Sequence, residues 1–93
     1  MGPEPYASVM EFWTDGCKPC QALGRAIRRY IDRVQIATVN VDENPDLCSA
    51  YGVRVIPSLL FFKNGQLVDE ANGYINDISE AEVTAKVEKL LAD

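Results

Sequence analysis

The sequence predicts a single α/β domain over residues 1–93, built on a four-stranded mixed sheet with helices on both faces. Three observations lead to this fold class. Strand-like and helix-like segments alternate through the first half of the chain, Asn64-Gly65 separates two strand-like segments in the second half, and an amphipathic helical pattern follows them. Ninety-three residues allow one core and no second domain. We therefore expect the element order βαβαββα.

The first half of the chain predicts two strands joined by a helix. Residues 6–13 are rich in aromatic and β-branched side chains, which is typical of a buried strand. Residues 18–32 then show helical periodicity, and residues 34–41 form a second, largely apolar strand. Two strands separated by a helix of this length run parallel. Gly24 interrupts the helical pattern and indicates either close packing or a bend. The apolar face of the predicted helix consists of Leu23, Ala26, Ile27, Tyr30 and Ile31.

The second half predicts a short helix, a hairpin and a final helix. The short helix begins at Pro45 and ends at Gly52. Residues 58–63 and 66–71 flank the Asn-Gly turn and should pair antiparallel. Ser79 fits the N-cap of the last helix. This amphipathic helix should pack on the predicted sheet and close the fold.

Composition excludes several classes of partner. The net charge is −5 and no cluster of Lys or Arg is present, so nucleic acids and anionic membranes are not expected partners. No stretch approaches the roughly 20 apolar residues that span a bilayer, and no export signal is recognisable at the start of the chain. We expect a cytoplasmic monomer.

The cysteine pattern narrows the chemistry. Three cysteines occur, at Cys17, Cys20 and Cys48, and this odd count does not fit the disulfide framework of a small secreted domain. Histidine is absent, which removes Ser-His and Cys-His catalysis and the commonest metal ligand. Two alternatives to redox chemistry remain: a buried apolar cysteine pair, and a zinc site formed by the three thiols.

A C-x-x-C pair that opens the helix of a βαβ unit favours redox chemistry over both alternatives. At this position Cys17 lies beside unpaired backbone N–H groups and the positive end of the helix dipole, which stabilise its thiolate. The neighbouring cation Lys18 acts in the same direction. Cys20 lies one helical turn away and can resolve a mixed disulfide formed on Cys17. Cys48 is expected to be a small, half-buried packing residue.

Several separated blocks, in the same order, make this chain similar to the thioredoxin family. The blocks are Glu11-Phe12-Trp13-Thr14-Asp15-Gly16-Cys17-Lys18-Pro19-Cys20, Val39-Asn40-Val41-Asp42-Glu43-Asn44-Pro45, Tyr51-Gly52-Val53-Arg54-Val55-Ile56-Pro57-Ser58 and Phe61-Phe62-Lys63-Asn64-Gly65. The resemblance covers nearly the whole chain. The strand and helix that precede the first strand in that family have no counterpart here, which suggests a shortened member with a thioredoxin-like fold.

The resemblance implies roles for individual catalytic residues. Cys17 would be the attacking thiolate, Cys20 the buried resolving thiol and Pro57 a cis-proline. Glu11 falls where the family has a buried aspartate that helps to deprotonate the resolving cysteine, and the lysine partner of that acid appears here as Thr38. From the residues alone, Pro57 fits a turn before a strand, and Glu11 fits the solvent-facing side of an edge strand.

The resemblance also implies a substrate-binding groove around the two cysteines. Its residues would be Gly16, Lys18, Pro19, Ile56, Pro57 and Gly73. Gly16 stands where the family commonly has tryptophan, and Lys18 replaces a glycine. These two departures predict a different choice of partners and a more oxidising couple. Tyr74 and the helix arginines Arg25, Arg28 and Arg29 are expected at the solvated surface.

The function implied is that of a thiol-disulfide oxidoreductase that reduces protein disulfides and is recycled by a thioredoxin-reductase-type electron donor. No dinucleotide or metal motif is present, so no bound cofactor is expected. Two alternatives stay open: a thioredoxin-fold adaptor with little redox turnover, and zinc binding through Cys17, Cys20 and Cys48.

Overall fold

A computed structural model describes residues 6–73 and 79–92 and confirms the predicted order of elements. Tyr74 lies outside these residues. The elements are β1 (Ala7–Trp13), α1 (Lys18–Arg28), β2 (Gln35–Asn40), α2 (Pro45–Ala50), β3 (Ser58–Lys63), β4 (Gln66–Asn72) and α3 (Glu80–Leu91).

The four strands form one mixed sheet in the order β2-β1-β3-β4. β1 runs parallel to β2 and antiparallel to β3, and β4 pairs antiparallel with β3 across the Asn64-Gly65 turn. The predicted parallel pair and hairpin are therefore confirmed. β1 occupies a central position, which explains its aromatic and β-branched composition, because a central strand is buried on both faces.

Alternation along β1 divides its side chains between two cores. Val9 packs with residues of α1 and α3 on one face of the sheet, and Phe12 packs with Cys48 of α2 on the other. Helices therefore cover both faces, as predicted. By the same alternation the Glu11 side chain points toward the face covered by α1.

Helix α1 is shorter than predicted. It ends at Arg28, whereas the predicted helix extends to residue 32. Beyond Arg28 the Tyr30 N–H bonds Ile27 O at 2.9 Å and the Ile31 N–H bonds Arg28 O at 3.2 Å, so the chain tightens into i to i−3 turns. These turns bring Val34 into the core and leave Ile31 63% exposed. The assignment of Ile31 to the apolar face was wrong for this reason.

The other two helices begin where the sequence predicts. Helix α2 begins at Pro45 but ends at Ala50, before Gly52. In α3 the Ser79 hydroxyl accepts the Glu82 N–H at 3.0 Å, which confirms the predicted N-cap. Within the described residues, none of the helices combines the length and the apolar character needed to cross a membrane.

Candidate redox site at the start of helix α1

Cys17 and Cys20 form a disulfide at the N-terminus of α1, with their Cα atoms 5.3 Å apart. Cys17 is the N-cap residue, and its sulfur accepts the Cys20 N–H at 3.2 Å. Pro19 occupies the first turn, where its missing N–H costs no helical hydrogen bond. The N–H group aimed at the Cys17 sulfur and the helix dipole would stabilise a thiolate there once the disulfide is reduced.

The two sulfurs differ in access to solvent. Cys17 is half-buried, whereas only 3% of Cys20 is exposed. Gly16, Lys18 and Pro19 surround Cys17 as exposed residues. An incoming disulfide can therefore reach Cys17, and Cys20 is protected from direct attack.

A second segment, between α2 and β3, contains the proline that the resemblance implicates. The Ile56–Pro57 peptide bond is cis, and Pro57 is buried. The Gly73 N–H donates to Pro57 O at 2.9 Å. A Cβ atom on Gly73 would lie 2.9 Å from Pro57 Cδ, so a side chain at this position would collide with the proline ring.

Ser58 anchors this segment and was not singled out from the sequence. Its hydroxyl lies 2.6 Å from Val55 O and 2.9 Å from Asn72 Oδ1, and the residue is fully buried. Buried hydroxyls need such partners, since leaving one unsatisfied costs free energy. The sequence contains one signal for this anchoring role: a serine directly follows the proline and begins a predicted strand.

An open cavity of about 290 Å³ leads from the disulfide to Glu11. Its lining residues are Glu11, Trp13, Thr14, Asp15, Gly16, Cys17, Cys20, Gln21, Arg28 and Thr38. The cavity therefore brings together the cysteines, the acid and Thr38. Lys18, Pro19, Ile56, Pro57 and Gly73 do not line this cavity.

Glu11 is a buried carboxyl group, with 4% of the residue exposed. Burial raises its pKa above the ordinary value of 4.5, and the positive charge of Arg28 partly opposes that rise. Glu11 pairs with Thr38 of β2 in register and with Leu59 of β3 on its other side. The solvent-facing alternative for this residue was wrong, because β1 is a central strand covered by α1.

Gly24 is a position of close packing, one of the two alternatives that the sequence left open. A Cβ atom at this position would lie 2.9 Å from Glu11 Oε2 and 3.0 Å from Arg28 Nη1. Because Gly24 has no side chain, the Glu11 carboxyl and the Arg28 guanidinium can both approach the helix backbone at this point.

Arg28 lines this cavity, a position that the sequence pattern did not predict. The residue is exposed, as predicted, yet its guanidinium end reaches the cavity wall near Glu11. Cys20, Gly24 and Arg28 follow one another at intervals of four along α1, which places them on one face of the helix. That spacing, read together with a buried acid on β1, was the signal available in the sequence.

A hydrogen bond joins the loop before α1 to the loop after β2. The Thr14 hydroxyl donates to Asp42 Oδ2 at 2.5 Å. Trp13, directly before this contact, is half-buried and lines the cavity. The bond holds the loop that carries Gly16 and Cys17 against the neighbouring strand connection.

The structure does not support the zinc alternative. Cys17 and Cys20 are bonded to each other, whereas Cys48 packs against Phe12 and Leu60 on the opposite face of the sheet. Across residues 6–73 and 79–92, no three side chains of the His, Cys, Asp and Glu types are grouped so that they could hold a metal ion. Cys48 is half-buried, in agreement with its predicted packing role.

Comparison with known proteins identifies the family. The Thioredoxin family model matches residues 4–89. Thioredoxin 1 of Synechococcus elongatus is 39% identical over 71 residues, which cover 72% of this chain and 66% of the relative. The M-type chloroplastic thioredoxin of Pisum sativum is 33% identical over 87 residues, which cover 89% of this chain and 49% of the relative. The chain thus spans two thirds or less of the length of these relatives.

Solved structures agree with the sequence comparisons. A mutant thioredoxin from Halobacterium salinarum superimposes with a TM-score of 0.80 at 31% identity, covering 94% of this chain and 76% of the other. The thioredoxin of Malassezia sympodialis gives a TM-score of 0.76 at 27% identity, covering 92% and 76%. With the family match extending over most of its length and the cysteine pair at the start of α1, this chain belongs to the thioredoxin family.

Proposed function

We propose that this chain reduces protein disulfides by dithiol–disulfide exchange, with Cys17 attacking and Cys20 resolving. One observation carries the proposal: the two cysteines are bonded at the N-terminus of α1, with Cys17 half-buried and Cys20 buried. This difference in access matches the two roles, because an attacking thiolate must reach its substrate and a resolving thiol must be sheltered until the mixed disulfide forms.

The exchange conserves electrons and protons. The Cys17 thiolate attacks a substrate disulfide, forms a mixed disulfide and releases one substrate thiolate. Cys20 then loses its proton and attacks the Cys17 sulfur, which forms the Cys17–Cys20 disulfide and releases the second substrate thiolate. The protein dithiol is oxidised by two electrons, and the substrate disulfide is reduced to two thiols that take up two protons.

Glu11 would accept the proton of Cys20. Both residues line the same cavity, and burial raises the pKa of the carboxyl above its ordinary value, which makes the carboxylate a stronger base than an exposed one. The cavity gives the proton a route onward to solvent.

Ile56, Pro57 and Gly73 would form one side of the substrate groove, with Gly16, Lys18 and Pro19 on the other. The hydrogen bond from the Gly73 N–H to Pro57 O at 2.9 Å supports this proposal, since it holds the two backbones together. An extended substrate segment can add main-chain hydrogen bonds to a backbone edge of this kind.

Electrons would come from a separate thioredoxin-reductase-type protein, and substrates would be protein disulfides. A cytoplasmic location fits this role, because a reducing compartment keeps the pair in its dithiol form. We propose a monomer, and size-exclusion chromatography with light scattering measures its mass.

An insulin-reduction assay with dithiothreitol tests the activity. The unmodified chain should accelerate precipitation of the insulin B chain, whereas Cys17→Ser should abolish the acceleration. Cys48→Ser is the matched control and should retain it, because Cys48 lies on the other face of the sheet. A chain that binds client proteins without accelerating precipitation would be an adaptor, and the proposal would be wrong.

A trapping experiment identifies the clients and tests the assignment of roles. Cys20→Ser should accumulate mixed disulfides on Cys17, because the resolving thiol is missing. Mass spectrometry of complexes released by dithiothreitol would identify the trapped proteins. If Cys17→Ser trapped clients through Cys20 equally well, the assignment of distinct attacking and resolving roles would be wrong.

A further inference from the structure

The buried Glu11 carboxyl has few charged neighbours. β2 presents the uncharged Thr38 in register with Glu11, and β3 presents Leu59. The loop before α1 contributes Asp15 to the cavity lining. Among the described residues that line the cavity, Arg28 of α1 is the one cation.

Gly24 makes the approach of Arg28 geometrically possible. Arg28 lies one turn beyond Gly24 on α1, and its side chain runs back along the helix so that Nη1 and Nη2 come within 3.0 and 3.2 Å of the place where a Gly24 Cβ would stand. Glu11 Oε2 lies 2.9 Å from the same point. The guanidinium and the carboxylate thus approach the same point beside Gly24, the one residue of this helix face that has no side chain, without forming a direct ion pair.

We propose that Arg28 is the positioning residue for Glu11, placing its charge near the buried carboxylate beside Gly24 in place of a cation from β2. This inference rests on the proposed function, in which Glu11 accepts the Cys20 proton. It assigns a role to a helix residue that does not touch the reacting sulfurs and acts through the carboxylate alone.

Arg28 would change the protonation state of Glu11. Only the carboxylate can take the proton of Cys20: the S–H bond breaks, Glu11 becomes a carboxylic acid, and the Cys20 thiolate attacks Cys17. Burial favours the protonated acid, and Arg28 favours the carboxylate. Removing the guanidinium should therefore leave less base at neutral pH.

The first test needs no turnover. A titration of the Glu11 carboxyl carbon by ¹³C NMR in the oxidised protein should show its pKa about 0.5–1 unit higher in Arg28→Gln than in the unmodified chain. Arg25→Gln is the matched control, because it removes the same charge from the same helix at an exposed position outside the cavity lining. Equal pKa values in Arg28→Gln and Arg25→Gln would overturn the inference.

The second test measures resolution. Reduced protein in a Cys48→Ser background releases thionitrobenzoate from Ellman's reagent in two phases, and the second, concentration-independent phase reports attack by Cys20. At pH 6 this phase should be about 3- to 10-fold slower in Arg28→Gln, because the pKa of Glu11 that governs its rate is higher. At high pH Glu11 is ionised in both proteins, so the two rates should converge. Arg25→Gln should leave the profile unchanged.

Two further variants test whether the effect passes through the carboxylate. In a Glu11→Gln background, Arg28→Gln should have no further effect on the second phase, because the group it acts on is gone. Thr38→Lys in the Arg28→Gln protein should restore the profile by supplying a cation from β2, directly across from Glu11. An undiminished Arg28→Gln effect without Glu11 would overturn the inference. If the unmodified chain failed to reduce insulin, the proposed function would be wrong. The pKa difference measured by NMR would still test the influence of Arg28 on Glu11.

Discussion

Cys17 illustrates what a single residue contributes through its place in the chain. It caps α1, so its sulfur receives the Cys20 N–H and lies at the positive end of the helix dipole. The adjacent Lys18 adds a full positive charge, although it is exposed and therefore screened by solvent. Both influences stabilise a thiolate and hence the reduced form of the pair.

Replacing Lys18 should make the couple more reducing. In Lys18→Gln the thiolate of Cys17 loses a cationic neighbour, so the reduced form is less stable and the potential should fall by about 5–20 mV, or roughly 1.5- to 5-fold in the equilibrium constant. Equilibration with glutathione followed by alkylation measures it. Lys89→Gln, an exposed lysine of α3, is the control. A potential that rises in Lys18→Gln would contradict the predicted influence of this charge.

The candidate site was predictable where its residues act locally, and not where they act through space. The Cys17–Cys20 pair is recognisable from its spacing and from the pattern of the surrounding helix. The approach of Glu11 and Arg28 to the same point beside Gly24 is not, because residues of β1 and α1 become neighbours only when the helix packs on the sheet. Periodicity alone placed Arg28 at the surface.

The helices differ in how strongly local sequence determines their ends. α3 begins where Ser79 accepts the Glu82 N–H, a contact over three residues that the sequence predicts directly. α1 ends where the chain must turn to bring Val34 into the core, and no capping residue announces that point. Local chemistry therefore decides the start of α3, and packing decides the end of α1.

Removing the α3 cap should lower stability by a predictable amount. In Ser79→Ala the Glu82 N–H loses its partner, and the free energy of unfolding should fall by about 1 kcal/mol. Urea denaturation followed by circular dichroism measures it. Ser49→Ala, an exposed position within α2, should change stability by less than about 0.5 kcal/mol. Equal effects of the two changes would argue against the cap.

At the scale of the whole molecule, the strand order determines the environment of the site. The sheet places β1 between β2 and β3, so Glu11 is flanked by strands on both sides and covered by α1. A carboxyl in this position destabilises the fold when it is ionised, because the charged form loses its hydration. The site thus retains a group that lowers the stability of the protein at neutral pH.

The pH dependence of stability should reveal this cost. Because the pKa of Glu11 is raised in the folded state, the folded protein binds more protons than the unfolded chain, and Glu11 makes stability fall as pH rises from its ordinary value of 4.5 through the raised value. Glu11→Gln should therefore be more stable than the unmodified chain at pH 8, by on the order of 1 kcal/mol. The difference should vanish below about pH 4.

Urea denaturation of the oxidised proteins across this pH range measures the effect. Glu43→Gln, an exposed acid in the loop after β2, serves as the control and should track the unmodified chain throughout. A Glu11→Gln protein that loses stability as pH rises, relative to the unmodified chain, would show that Glu11 is not destabilising in its ionised form.

The sequence by itself determined the order of elements, the Asn64-Gly65 hairpin, the α3 cap and the cysteine pair, because each depends on residues within a few positions of one another. The tertiary structure alone decided the sheet order, the end of α1 and the partner of Glu11. Burial and charge pairing there depend on which distant segments the sheet and its helices bring together, and no local pattern encodes those distances.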